Sequence, residues 1–283
     1  MERYICVACG TQYPDAAEPP GSCPICTDPR QYVLPGGQQW TTMARLRADR
    51  TNDVRAEGDL VGIGTTPHFA IGQRALLVPF GDSNLLWDCV SLLDEATAEE
   101  VERRGGLAAI AVSHPHYYTT MVEWAQRFDC PVHLHAADAD WVMRPDPAIR
   151  HWDGETLDLG HGVTLIRGGG HFPGGTMLHR ADGAGDLLTG DIIQVVPDRG
   201  HVAFMELSQL RPAARGRGAA DRGDRRALRV RGHLRGVVEL PHPGRRQGHR
   251  PPLGRALRRR TARRPVTRPV RPAARRPRRP PRR

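Results

Sequence analysis

The 283-residue chain changes character at residue 206, and that change limits what it can fold into. From Glu206 to Arg283 there is no Phe, Tyr, Trp, Ile, Met, Asn, Lys or Cys, and Arg, Pro, Ala and Gly dominate. Such a segment has too little apolar bulk to offset the entropy of ordering it, so 206–283 is expected to be a disordered tail. Any sizeable core must come from residues 1–205. The net charge of +10 also belongs to the tail. Residues 1–205 carry 15 Arg against 27 acidic residues, and the remainder carries 26 Arg against 4. The body is therefore acidic, which argues against a dedicated nucleic-acid binder. The tail would hold nucleic acid only non-specifically, as a polycation.

The tail's residues are those of GC-rich codons, and we read it as out of frame from about Met205. With suitable synonymous codons, moving the frame one base later gives aromatic and β-branched residues in strand-like runs. Loss of two bases after the Met205 codon accounts for this. The alternative is a genuine Arg/Pro-rich segment. On the out-of-frame reading, His233 and His242 are not ligands.

Near the N-terminus, Cys6-Val-Ala-Cys9-Gly10 and Cys23-Pro-Ile-Cys26 form two Cys-x-x-Cys pairs. Each pair can grip one side of a tetrahedral metal. Gly10 allows the tight turn after the first pair. Two disulfides are the alternative. The first residues lack the basic-then-apolar design of a secretory leader, so a reducing cytoplasm and thiolate–metal ligation are expected. The pattern resembles rubredoxin-like and zinc-ribbon modules. The short stretch between the pairs favours zinc over iron. Cys89 and Cys130 sit beside apolar runs and read as packing residues.

A second constellation lies further along. His114-Pro-His116 directly follows the apolar run Leu107–Val112, His171 sits in a Gly-rich loop, and Asp191 follows Leu188-Thr-Gly. Imidazole nitrogen and carboxylate oxygen suit zinc or iron, and such sites activate water.

The order of these segments resembles the metallo-β-lactamase fold superfamily, over roughly residues 59 to 205. Its signature is His-x-His-x-Asp-His, then a single His, then a Gly-Asp at a strand end. The resemblance implies an αββα sandwich, with His114, His116 and His171 as ligands and Asp191 completing or orienting the shell. This chain has Tyr118 and Thr119 where the family has the Asp and His of its second metal site. A single-metal site is therefore expected, with Tyr118 as a candidate donor to a developing oxyanion.

The expected organisation is a four-cysteine metal knuckle at 1–36, a metallo-β-lactamase-like domain at 37–205 and the tail at 206–283, with the sandwich truncated in its second half. Helices are expected at 39–47, 96–104 and 118–128. Strands are expected at 74–80, 84–88, 107–112, 131–135, 163–167, 176–179 and 187–188, with another after Asp191. His133 and His135 share a strand face and read as hydrogen-bonded or exposed groups, while His179 and His201 read as surface residues. The loops 65–69 and 151–153 are candidates to line a pocket. No apolar run is long enough to span a membrane.

The leading expectation is a hydrolase of an ester, thioester or amide, acting through a metal-activated water at a single site of three histidines and an aspartate. Zinc is expected in the knuckle and the site, with iron as the alternative, and the small-molecule substrate is unknown. The competing expectations are a non-catalytic metal-binding module, an inactive frameshifted product, and an iron-dependent redox enzyme.

Overall fold

The computed structural model describes residues 1–183, 185–195 and 202–205, and the backbone alone of 229–232 and 236–239. These residues all lie in one compact unit, Met1–Gly244. Among them no helix is long and apolar enough to cross a membrane.

The centre is a seven-stranded sheet in the order β10-β9-β8-β7-β6-β5-β4. Its strands are β4 (Thr51–Glu57), β5 (Leu60–Thr66), β6 (Arg74–Phe80), β7 (Ser83–Trp87), β8 (Leu107–Ala111), β9 (Val132–His135) and β10 (Ile149–Trp152). The pairings from β4 to β7 are antiparallel, and those from β7 to β10 are parallel. A second sheet has the order β11-β12-β13-β14-β17-β18, from Thr156–Gly160, Val163–Arg167, Thr176–Arg180, Asp186–Leu188, Arg229–Gly232 and Gly236–Glu239.

Strand alternation sorts the apolar residues into two layers. Val78, Leu85, Trp87, Ala109 and Ala111 face inward and meet Val163, Leu165, Leu178 and Leu188 of the second sheet. Leu77, Leu86, Ile110 and Val132 face outward and are covered by two helices, α3 (Glu95–Arg103) and α4 (Met121–Phe128). Ala98, Val101, Val122 and Trp124 supply the helical side of that core. Helix α3 starts where Asp94 accepts a hydrogen bond from the Thr97 amide at 2.8 Å, one of the donors a helix start leaves open. The described residues thus give helices, sheet, sheet, three of the four layers of an αββα sandwich.

The N-terminal region forms its own sheet, β2-β1-β3, from Glu2–Cys6 (β1), Gln12–Ala16 (β2) and Trp40–Thr42 (β3). A short helix, α1 (Pro24–Thr27), carries the second cysteine pair. The expected helix at 39–47 starts later, as α2 (Met43–Asp49). Trp40-Thr-Thr42 prefers the extended pairing with β1, and Thr42 then caps the helix by accepting from the Arg45 amide at 3.4 Å. The knuckle sheet thus draws in residues beyond 36.

Other strands follow the expectation closely, although 51–66 and 149–160 contain four that it lacked. The strand expected after Asp191 is β15 (Ile193–Val195), paired with β16 (Val202–Phe204). The segment expected to lack structure supplies two strands. β17 runs parallel to β14, and β18 pairs antiparallel with β17. Valines are concentrated in these two stretches, and the edge of β14 offers unpaired backbone to them. The rest of 206–283, with His233 and His242, and also His201, lies outside the described residues.

Candidate metal centres

The histidine cluster is built at the end of β8. Burial on both faces fixes that strand, and the chain leaves it through Ser113 into a short 3₁₀ turn, Pro115–Tyr117, capped by His114. Asp88, at the end of neighbouring β7 with φ 61°, accepts the Ser113 amide at 2.8 Å. His114 Nδ1 is hydrogen-bonded to Ser113 Oγ at 2.8 Å, which leaves Nε2 to face the site.

His171 comes from the loop between β12 and β13. The amides of Gly168 and Gly169 both donate to Gly175 O, at 2.7 and 2.9 Å, and the Thr176 amide donates to Ser113 O at 2.8 Å. The loop is thereby pinned to the start of the His114 turn. Asp191 follows β14 through Gly190, whose φ is +51°. A Cβ on Gly190 would lie 2.5 Å from Ser113 Cβ, so only glycine fits there.

The result is one ligand atom each from His114, His116, His171 and Asp191, all within 4.8 Å of one another. His116 Nδ1 is 3.3 Å from His171 Nε2, and His114 Nε2 is 3.6 Å from Asp191 Oδ2. All three histidines are buried, at 1–3% exposure. Burial, followed by the neighbouring His114 and His171, holds His116 well below the usual histidine range, so it stays neutral and able to ligate. His114 Nε2 and His116 Nε2 have no hydrogen-bond partner although they are buried. Three buried imidazoles gathered around a carboxylate fit a cation.

The hydroxyls of Tyr118 and Thr119 bond main-chain carbonyls. Tyr118 is buried, its hydroxyl donates to Asp138 O at 3.5 Å, and burial pushes it well above the usual tyrosine range. Thr119 Oγ1 donates to Tyr117 O at 3.4 Å. The tyrosine beside the ligands is instead Tyr117, whose ring meets His114 edge-on at 5.1 Å. The sequence reading missed it, along with Ser113, Asp88 and Asp138. Asp138 accepts the Gly174 amide at 2.7 Å and so braces the His171 loop.

His135 bonds Gly154 O and the Ala137 amide, in keeping with a hydrogen-bonded role. Phe69 of the 65–69 loop packs with Ile5, Leu46 and Leu92, and Trp152 lies between the two sheets.

The second cluster is Cys6, Cys9, Cys23 and Cys26, all buried and all free. Cys6 and Cys26 sulfurs are 3.5 Å apart, and those of Cys9 and Cys23 are 3.6 Å apart. That packing suits four thiolates around one ion. Hydrogen bonds from Cys23 and Cys26 pull the Cys6 thiol down, while the same partners push Cys9 up. The side-chain Nε2 of Gln38 donates to Cys6 Sγ at 3.1 Å, the kind of contact that steadies a thiolate. Burial pushes Cys89 and Cys130 up to about 12, and both pack in the core outside either cluster.

Comparison with known proteins finds a relative 48% identical over 211 residues, the uncharacterized protein YmaE of Bacillus subtilis (strain 168), covering 72% of this chain and 77% of that protein. The chain belongs to the YmaE family. No family model matches it. Similar solved structures include the metallo-β-lactamase FIM-1 from Pseudomonas aeruginosa in its mono-zinc form, at 14% identity and TM-score 0.41, covering 50% of this chain and 70% of that one. TTHA1623 in a di-iron-bound form is 23% identical with TM-score 0.37, covering 43% and 68%. In this YmaE-family chain the helix layer, the two sheets and the ligand turn at the end of β8 are arranged as described above.

Gly190→Ala should destabilise the fold by about 1–3 kcal/mol in urea unfolding, because the backbone is left-handed there and Ser113 blocks the new methyl. Its metal uptake at the histidines should fall, whereas Gly183→Ala, with a similar φ and open space, should leave metal uptake unchanged.

Proposed function

We propose that this chain is a metal-dependent hydrolase that cleaves an ester, thioester or amide at a single site formed by His114, His116, His171 and Asp191. The observation that carries this is the buried group of His114, His116, His171 and Asp191, whose ligand atoms all lie within 4.8 Å of one another. The chemistry a metal supplies when bound there is activation of water at neutral pH and polarisation of a carbonyl. We assign zinc to both clusters, since the donor sets are three nitrogens with one oxygen and four sulfurs. Four free cysteines suited to holding one ion support a reducing compartment, which we take to be the cytoplasm.

The residues divide the work by exposure. The His114 side chain is fully buried, whereas that of Asp191 is 17% exposed, so substrate and water approach from the Asp191 side. Asp191 there orients the attacking water and accepts its proton. Ser113 Oγ, hydrogen-bonded to Nδ1, orients the His114 ring, and Asp88 holds the Ser113 backbone amide. Tyr118 is assigned to packing, because its hydroxyl is engaged by Asp138.

His116→Ala in the full chain should lose one metal equivalent by mass spectrometry and keep the one bound by cysteines. Hydrolysis across a panel of esters, thioesters and amides should fall by at least about a hundredfold. Hydrolysis that persists in this variant would sink the assignment.

A second reading concerns the tail. From Glu206 onward the chain has no Phe, Tyr, Trp, Ile, Met, Asn, Lys or Cys. This favours loss of frame near Met205 and a true protein that continues differently. Sequencing the gene across codons 205 and 206 should show two missing bases. An intact frame would leave the Arg/Pro-rich segment as a genuine part of the protein.

A further inference from the structure

We propose that the cysteine knuckle positions the histidine ligands, because Gln73 and Arg30 tie it to the main-chain carbonyls of His116 and His171. This rests on reading the histidine cluster as a metal site.

Gln73 is 5% exposed and lies between the two clusters. Its one side-chain amide nitrogen donates to Cys9 O at 2.7 Å and to His116 O at 2.9 Å. A knuckle ligand and a site ligand are thus joined through a single amide group. Arg30 makes the second tie. It lies four residues after Cys26, at the end of a turn closed by Asp28. Asp28 Oδ1 accepts the Arg30 amide at 2.9 Å and its Nε at 2.6 Å, and Oδ2 accepts Nη2 at 2.9 Å. Held in this way, Arg30 Nη1 donates to His171 O at 3.2 Å. The guanidinium also lies 3.9 Å from the Phe172 ring centre, and Trp141 meets that ring edge-on at 5.5 Å. Trp141 packs in turn against the cysteine cluster.

Arg30 holds the His171 loop at its ligand residue, while Asp138 and Ser113 hold it at Gly174 and Thr176. Gly169 and Gly170 precede the ligand with φ of +61° and +78° and contribute no side chain to hold it. The anchor is only as firm as the knuckle, whose core is small and has four cysteines at its centre. Small cysteine sites of this kind draw their folding energy from the metal. Emptying the cysteine site therefore frees Arg30 and Gln73, and the histidine ligands lose their fixed backbone. Linkage makes the effect reciprocal, so metal at the histidines tightens the cysteine site by the same factor.

The test is Arg30→Gln and, as a second variant, Gln73→Leu, each in the full chain. Affinity for zinc at the histidine site is read by native mass spectrometry, and amide exchange is followed over 168–176. The expected result is a cysteine site still loaded, histidine-site affinity lower by about tenfold or more, and faster exchange in the loop. Affinity and exchange unchanged in both variants would overturn the proposal. Should either variant fold poorly, the wild-type chain is stripped of its cysteine-bound metal with a mercurial thiol reagent. Histidine-site affinity should then fall, and an unchanged affinity overturns the coupling. A wild-type chain that binds zinc only at the cysteines would refute the functional reading instead. In that case loop exchange in Arg30→Gln still decides whether Arg30 holds His171.

Discussion

Strand β8 is buried on both faces, and the histidine site depends on that. Ala109 and Ala111 face the second sheet while Ile110 faces the helices, so the strand cannot slip by one residue without turning its apolar set to the wrong layer. The small alanines admit the second sheet closely, and the larger Ile110 fills the helical side. The turn beyond the strand inherits its rigidity. Ser113, clamped by Asp88 and by the Thr176 amide, launches the turn that delivers both His114 and His116.

The site is also an electrostatic commitment. Three imidazoles at 1–3% exposure and a neighbouring carboxylate cost desolvation energy that hydrogen bonds among them only partly offset. His114 and His116 each keep one nitrogen without a partner, which a purely structural packing arrangement would avoid. A cation held there would offset this cost. The knuckle repeats the logic with sulfur, and its ties through Gln73 and Arg30 make the two clusters parts of one construction.

Much of this is legible in the sequence because the informative residues are local. Continuous apolar runs reveal β6 and β8, and the ligands sit directly behind strand ends. Strand β4, Thr51–Glu57, escapes because it is a polar edge strand with no buried residue. Trp40-Thr-Thr42 reads as helix from its neighbours because its pairing with β1 lies more than 30 residues away in the chain. Tyr118 draws attention by its place beside the ligands, yet the turn geometry gives that position to Tyr117. Arg30 and Gln73 leave no local signal. Arg30 meets His171 across 141 residues and Gln73 meets His116 across 43, and spacing alone does not reveal such contacts.

The most direct test of the two-cluster account is a crystal of the zinc-loaded full chain with anomalous scattering recorded at the zinc edge. The account predicts two peaks, one among the four cysteine sulfurs and one among His114, His116, His171 and Asp191. A pair of peaks beside Tyr118 and Thr119, about 3.5–4 Å apart as in two-metal hydrolases, would contradict the single-metal site. A map with density only at the cysteines would contradict the histidine site itself.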